Sequence, residues 1–317
     1  MLTQTRLAAT ALFAVIVAQP VQMNRPSRDA NIRLDVNLVL VPVSVTDRRG
    51  ATVTGLAKDQ FRVFEDKVQQ KIVSFAQEEA PVSVGVVFDL SGSMKNKIKE
   101  ARNSSAALFK TATDGDEAFL ITFSTHPESP TAFTSKFETI QDDLMQSKAR
   151  GSTALVDAVY LALNRMRRAH NGRKALVVIS DGMDNHSRYS KPELMSLAQE
   201  SDVQIYTVGI FEPPRNAKPI EMDQERNGLV LLDDLSRATG GLHFRINGTS
   251  EIPRIAERIG MALHNLYLIG YYPPDSGERF RKIQVKATVP NVHLSARPGY
   301  YAAHSRSVPR DARVLRP

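Results

Sequence analysis

Between Val82 and Leu266 the chain repeats one pattern, a short apolar run followed by a longer stretch with helical periodicity. The apolar runs are VSVGVVF (82–88), EAFLITF (117–123), KALVVIS (174–180), VQIYTVG (203–209) and GLHFRI (241–246). Between them lie NKIKEARNSSAALFKTA, ALVDAVYLALNRMRR, KPELMSLAQES and SEIPRIAERIGMALHNL. Strands that read as continuous apolar runs are covered on both faces, and helical connections let successive strands run parallel. The pattern therefore predicts an α/β domain over 82–266, a Rossmann-like, mostly parallel sheet with helices on both faces. Ligands of such sheets bind beyond the carboxyl ends of the strands.

The flanks have a different period. Residues 31–80 and 267–302 alternate apolar and polar side chains, as in IRLDVNLVLVPVSVTD, FRVFED, KIVSF, LYLIGYYP and FRKIQVKATV. Pro42 marks an edge or a break in the first of these runs. Neither flank has enough strands to stand alone, so the two are expected to pair into one smaller β-sandwich with the α/β domain inserted between them.

The ends carry no such pattern. Residues 1–20, MLTQTRLAATALFAVIVAQP, place Arg6 before an apolar run from Leu7 to Ala18. That run is too short to span a bilayer and suits a cleaved signal peptide. An exported protein, periplasmic or secreted, with no transmembrane span in the mature chain is the expectation. Residues 303–317 lack periodicity and read as a disordered basic tail. The net charge of +7 is concentrated at the ends: the leader holds one unit and the tail three, leaving +3 for the body. Without aromatic residues interleaved among the basic ones, that balance does not suggest nucleic acid as a partner. The chain has no cysteine, which excludes thiolate metal ligands and thiol catalysis.

Chemistry concentrates at strand ends. VGVVF runs into Asp89, and Ser91 and Ser93 come next at alternate positions. KALVVIS runs into Asp181-Gly182, and RGSTALVDAV sets Thr153 at the start of a helix. Asp89, Ser91, Ser93, Thr153 and Asp181 offer only oxygen, the donor set of hard cations such as Mg²⁺, Ca²⁺ or Mn²⁺. Asp157 and Asp184 fall close to this set, as hydrogen-bonding support or as plain loop residues. His126 and His186 fall on the same rim, with no visible activator that would make either a general base. Residues 211–228, FEPPRNAKPIEMDQERNG, read as a long loop on the same side and a candidate for setting partner choice.

The order D-x-S-x-S, then Thr, then Asp-Gly resembles the metal-ion-dependent adhesion site of the von Willebrand factor type A domain, across roughly residues 82–266. The flanking GLAKDQFRVFEDKVQQKIVSF and LIGYYPP…RKIQVKA…ARPGYYA are similar to segments of the acidobacterial VWFA-related family. Ser152 departs from that pattern, because many relatives carry a second glycine there. The resemblance implies that Ser91, Ser93 and Thr153 offer hydroxyls to Mg²⁺ (or Ca²⁺ or Mn²⁺). Asp89 and Asp181 would act directly or through water, and a carboxylate of a protein or matrix partner would complete the coordination. A non-enzymatic, adhesion-type binding module is thus expected. The alternatives are a metal-dependent hydrolase, for which G-x-S-x-G, H-E-x-x-H and G-x-x-x-x-G-K-[ST] are all missing, and a scaffold with a purely stabilising metal.

Overall fold

The computed structural model describes residues 38–78, 80–95, 97–211, 219–274 and 279–302, so the leader (1–20) and the tail (303–317) lie outside the described residues. The N-terminal flank forms β1 (Val39–Asp47), β2 (Phe61–Glu65), β3 (Val68–Gln70) and β4 (Ile72–Glu78). The α/β region begins with β5 (Val82–Asp89), α1 (Ile98–Phe109), β6 (Glu117–Phe123), β7 (Pro127–Thr134), α2 (Phe137–Gln146), α3 (Leu155–Met166) and β8 (Arg173–Ser180). It continues through α4 (Lys191–Glu200), β9 (Gln204–Ile210), α5 (Pro219–Thr239), β10 (His243–Ile246) and α6 (Ile252–His264). The C-terminal flank adds β11 (Leu266–Tyr271), β12 (Phe280–Ala287), β13 (Val292–Ser295) and β14 (Gly299–Tyr301).

The central sheet has the order β10-β9-β8-β5-β6-β7, and every pairing is parallel except β6 with β7. All eight residues of β5 are buried, which accounts for its unbroken apolar character. Alternate residues serve opposite layers. Val84, Val86 and Phe88 join a core closed by Leu108 of α1, Ile140 of α2 and Ile259 of α6. Val87, Phe119 and Val178 join a second core closed by Val159 of α3, Leu194 of α4 and Leu232 of α5. The chain leaves β5 through α1 toward β6 on one side, and leaves β8 through α4 toward β9 on the other. The carboxyl ends of β5 and β8 therefore flank the point where the winding reverses, the crevice where open α/β sheets hold ligands.

The two flanks interleave. One four-stranded sheet runs β13-β1-β11-β4 and the other β14-β12-β2-β3, so each takes strands from both ends of the chain. Val41, Val43, Phe61, Val63, Tyr267 and Ile283 share the core between the two sheets. Glu65 of β2 is buried there and accepts from Arg281 Nη1 at 2.7 Å, Tyr271 Oη at 2.7 Å and Tyr300 Oη at 3.0 Å. Pro42 lies in the half of β1 that pairs only with β11, because β13 joins β1 from Ser44 onward. Its missing donor is tolerated where one side of the strand has no ladder partner. Ser295 Oγ donates to the carbonyls of Gly240 and Gly241 ahead of β10, and Arg258 of α6 donates to Gly50 O at 2.7 Å. These contacts put the sandwich at the amino ends of the sheet strands, about 25 Å of strand away from their carboxyl ends.

Three elements differ from the sequence reading. The segment read as a loop over 211–228 is helical from Pro219, within the 21-residue α5; residues 212–218 lie outside the described set. Gly228 sits inside α5, where that helix touches the backbone of Gly182. The edge strand β7 (PESPTAFT) and helix α2 had no assignment. Two prolines and an antiparallel edge position hide the first, and only Ile140 and Leu144 are buried in the second.

Candidate metal site

Three loops meet above β5 and β8, and backbone hydrogen bonds hold them together. Leu90 N donates to Phe123 O at 2.7 Å, Arg150 N to Leu90 O at 2.8 Å and Gly92 N to Gly151 O at 3.0 Å. Asn185 N and His186 N both donate to Thr153 O at 3.0 Å, while Thr153 N donates to Asn185 Oδ1 at 2.9 Å. Gly151 has a φ of +81°, and a Cβ there would fall 2.5 Å from Thr125 Oγ1, so glycine alone fits this close loop. The loop carrying Asp89, Ser91 and Ser93 is thereby tied to the loop carrying Thr153, which is tied in turn to the one after Asp181.

Asp89, Ser91, Thr153 and Asp181 are buried at 0%, 0%, 3% and 1% exposure, and Ser93 is exposed at the rim. Asp89 Oδ1 accepts from Ser91 N at 2.8 Å and Oδ2 from Ser180 Oγ at 2.5 Å. The Ser91 hydroxyl makes no capping bond to the adjoining turn; it lies 3.0 Å from the Ser93 hydroxyl. Helix capping therefore does not explain why Ser91 is there. Burial, and next the charge of Asp181, push the Asp89 carboxyl up to about 7 despite the bonds from Ser180 and Ser91. Two buried carboxylates brought together this way, with the neighbouring hydroxyls, offer the oxygen donors that fit a hard divalent cation. No group of three or more His, Asp or Glu side chains is arranged for a metal among the described residues, so the candidate rests on two carboxylates and three hydroxyls.

Asp157 and Asp184 fasten loops. Asp157 Oδ1 accepts from Arg188 N at 2.8 Å and Tyr189 N at 3.0 Å, and Asp184 Oδ1 from Ser187 Oγ at 2.5 Å and Val156 N at 3.3 Å. His126 and His186 are exposed, with ring centroids 5.7 Å apart. His126 borders a polar notch of about 290 Å³ that includes Ser124, Glu128, Lys148 and Arg150.

Two participants escaped the sequence reading. Ser180 bridges the turns, donating to Asp89 while accepting from Gly182 N at 2.9 Å. Lys97 is buried just before α1, and its Nζ lies 3.3 Å from Asp181 Oδ2. A lysine between Asn96 and Ile98 has no sequence signal that separates it from a solvated one.

A doubly covered, mostly parallel sheet with an oxygen-only cluster at its switch point defines a class of α/β ligand-binding domain. Residues 83–234 match the family model of the von Willebrand factor type A domain. A von Willebrand factor type A protein from Catenulispora acidiphila shares the fold at 13% identity and a TM-score of 0.50, over 87% of this chain and 77% of that one. The von Willebrand factor domain of the type V pili tip protein Mfa5 from Porphyromonas gingivalis is similar at 14% identity and a TM-score of 0.44, over 58% of this chain and 97% of that one. An uncharacterised protein of Borreliella burgdorferi is 22% identical over 187 residues, 53% of this chain and 54% of that protein. The chain thus spans about half the length of that curated relative.

Proposed function

We propose that this protein is an exported, metal-dependent binding module that captures an exposed carboxylate of a protein or matrix partner. The carrying observation is the buried pair of Asp89 and Asp181: burial first, and next the charge of Asp181, raise the Asp89 carboxyl beside three hydroxyl residues on stitched loops. Asp89, Ser91, Ser93, Thr153 and Asp181 would hold Mg²⁺, or Ca²⁺ or Mn²⁺. When bound, the cation supplies a fixed positive charge with exchangeable positions for an oxygen ligand. Asp89 and Asp181 supply the negative charge that retains it, and Ser180 and Asn185 keep the loops in place. The exposed rim at Ser93, His126, Lys148 and Arg150 supplies contacts that discriminate between partners.

The reading is of a binder rather than an enzyme. Periplasmic or secreted placement rests on the leader. No helix among the described residues is long and apolar enough to cross a membrane.

The test is capture from an envelope extract of the source organism by immobilised protein, in Mg²⁺ and in EDTA, with Asp89→Asn beside wild type. Capture that needs both Mg²⁺ and Asp89 supports the proposal, whereas capture unaffected by EDTA refutes it. Mg²⁺-dependent turnover of phosphate or ester substrates would replace it with the hydrolase reading.

A further inference from the structure

The sandwich and the α/β region enclose a cavity between them, at the end of the central sheet opposite the candidate metal site. Its volume is about 690 Å³, within the range of small-molecule sites. One wall is a sandwich sheet. Val41 and Val43 of β1 and Tyr267 and Ile269 of β11 face the sandwich core, so strand alternation turns Leu40, Pro42, Leu266 and Leu268 outward. All four line the cavity, and the opposite wall includes Val82 and Ala175 from the amino ends of β5 and β8. Leu38, Leu40 and Tyr301 border it and are 38%, 41% and 51% exposed. Close-packed proteins rarely leave a space of this size, and apolar side chains facing an empty one forgo their contacts. An apolar body between the walls would restore them.

The charged residues bordering the cavity are Arg173, Lys174, Asp202 and Arg297. Lys174 makes no ion pair among the described residues. Arg297 Nη1 donates to Asp202 Oδ1 at 3.1 Å and Nη2 to Leu40 O at 3.2 Å. Its Nε is buried with no hydrogen-bond partner among the described residues. Asp202 is 83% exposed, so water screens its hold on the guanidinium. A spare guanidinium donor and an unpaired ammonium beside apolar walls complement a carboxylate carried on an apolar chain.

We propose that this cavity binds a single-chain fatty acid, its chain between the two walls and its carboxylate at Lys174 and Arg297. The site goes beyond the metal-dependent reading and does not depend on it, because the two lie at opposite ends of the sheet strands.

The experiment is displacement of cis-parinaric acid, whose fluorescence rises in an apolar site, from the whole mature chain in EDTA. The competitors are laurate, octanoate and dodecanol. Laurate should displace the probe saturably, about tenfold or more better than octanoate, whose chain is shorter. It should also exceed dodecanol, which keeps the chain and lacks the charge, by about three- to tenfold. Lys174→Gln and Arg297→Gln should each narrow that second margin and leave dodecanol binding unchanged. Leu40→Glu should weaken laurate and dodecanol alike, by about tenfold or more. Circular dichroism checks each variant, and Lys174→Gln alone carries the comparison should Arg297→Gln lose structure.

No saturable displacement by laurate overturns the proposal, as does equal affinity for laurate and dodecanol. An unchanged margin in Lys174→Gln, or undiminished binding in Leu40→Glu, overturns it too. Displacement seen only after removal of residues 303–317 would assign the cavity to the chain's own C-terminal residues instead. Binding to phosphatidylglycerol vesicles without binding of free laurate would make it a membrane contact, and the proposal would fall.

Discussion

A Cβ atom on Gly228 would lie 2.1 Å from the carbonyl oxygen of Gly182, so helix α5 and the turn after Asp181 touch backbone to backbone. Gly182 itself has a φ of +83°, and a Cβ there would fall 2.5 Å from Gly228 C. Replacing a glycine within an exposed helix by alanine ordinarily stabilises by roughly 1 kcal/mol. Gly228→Ala is expected to do the opposite, costing about 1–3 kcal/mol as α5 is forced off the turn. Urea unfolding of the variant measures this, and a stabilised variant would show that the contact yields easily.

The sandwich depends on one charged residue. Glu65 is 2% exposed, and it joins Arg281 of its own sheet to Tyr271 of the facing one. Burial raises both Tyr271 and Tyr300 and their bonds to Glu65 raise them further, so both phenols stay neutral donors across the physiological range. Glu65→Ala would leave the fully buried Arg281 guanidinium without this carboxylate, at an expected cost of about 3–5 kcal/mol. Glu65→Gln should cost less, because it keeps an acceptor. Denaturant midpoints of the two variants give the comparison, and equal midpoints would mean that charge is irrelevant there.

At the amino end of β6, His264 Nε2 lies 2.8 Å from Asp116 Oδ2, and both groups are buried. Burial alone would lower His264, but the bond and charge of Asp116 and the Gly260 carbonyl raise it above its ordinary value. Burial alone would raise Asp116, but bonds from His264, Thr113 N and Val82 N bring it below its ordinary value. The histidine's contribution is therefore complete below pH 6.5, its ordinary value, and is lost as pH rises through its higher folded value. The aspartate's contribution is complete above pH 3.8 and is lost as pH falls through its lower folded value. Wild type should lose stability from about pH 6 to 8, and His264→Gln should lose less over the same range. Thermal unfolding across that window checks the sign, and parallel profiles would remove His264 as the cause.

How much of the molecule could be read in advance depends on how strongly each residue's environment marks the sequence. β5 and β8 were legible because burial on both faces demands unbroken apolar runs, and Asp89 and Asp181 because a carboxylate ending such a run is conspicuous. The pairing of the flanks was legible from alternation and from the shortage of strands in each. The first part of α5 was hidden because Gly228 answers a tertiary contact with Gly182, and local propensity carries no record of that contact. Lys97 was hidden for a similar reason. Its burial depends on Asp181, which is 84 residues away in the chain.

The proposed metal site makes a stability prediction of its own. Asp89→Asn removes one of two repelling charges but keeps an oxygen for Ser91 N, and its amide can donate to Ser180 Oγ in place of the bond now accepted from it. Without metal, at a pH above the value near 7 to which Asp89 is pushed, the variant should therefore be at least as stable as wild type. Mg²⁺ that binds only the folded form must stabilise wild type by mass action, by about 2.7 kcal/mol at a hundredfold excess over its dissociation constant. Asp89→Asn should lose most of that gain. Thr153→Ala should keep wild-type stability in EDTA while gaining less from Mg²⁺, since only a neutral hydroxyl is removed. Thermal unfolding of the three proteins at pH 8, in millimolar Mg²⁺ or in EDTA, decides the matter. An Asp89→Asn protein stabilised by Mg²⁺ as fully as wild type would reduce the cluster to a strand end held by a serine.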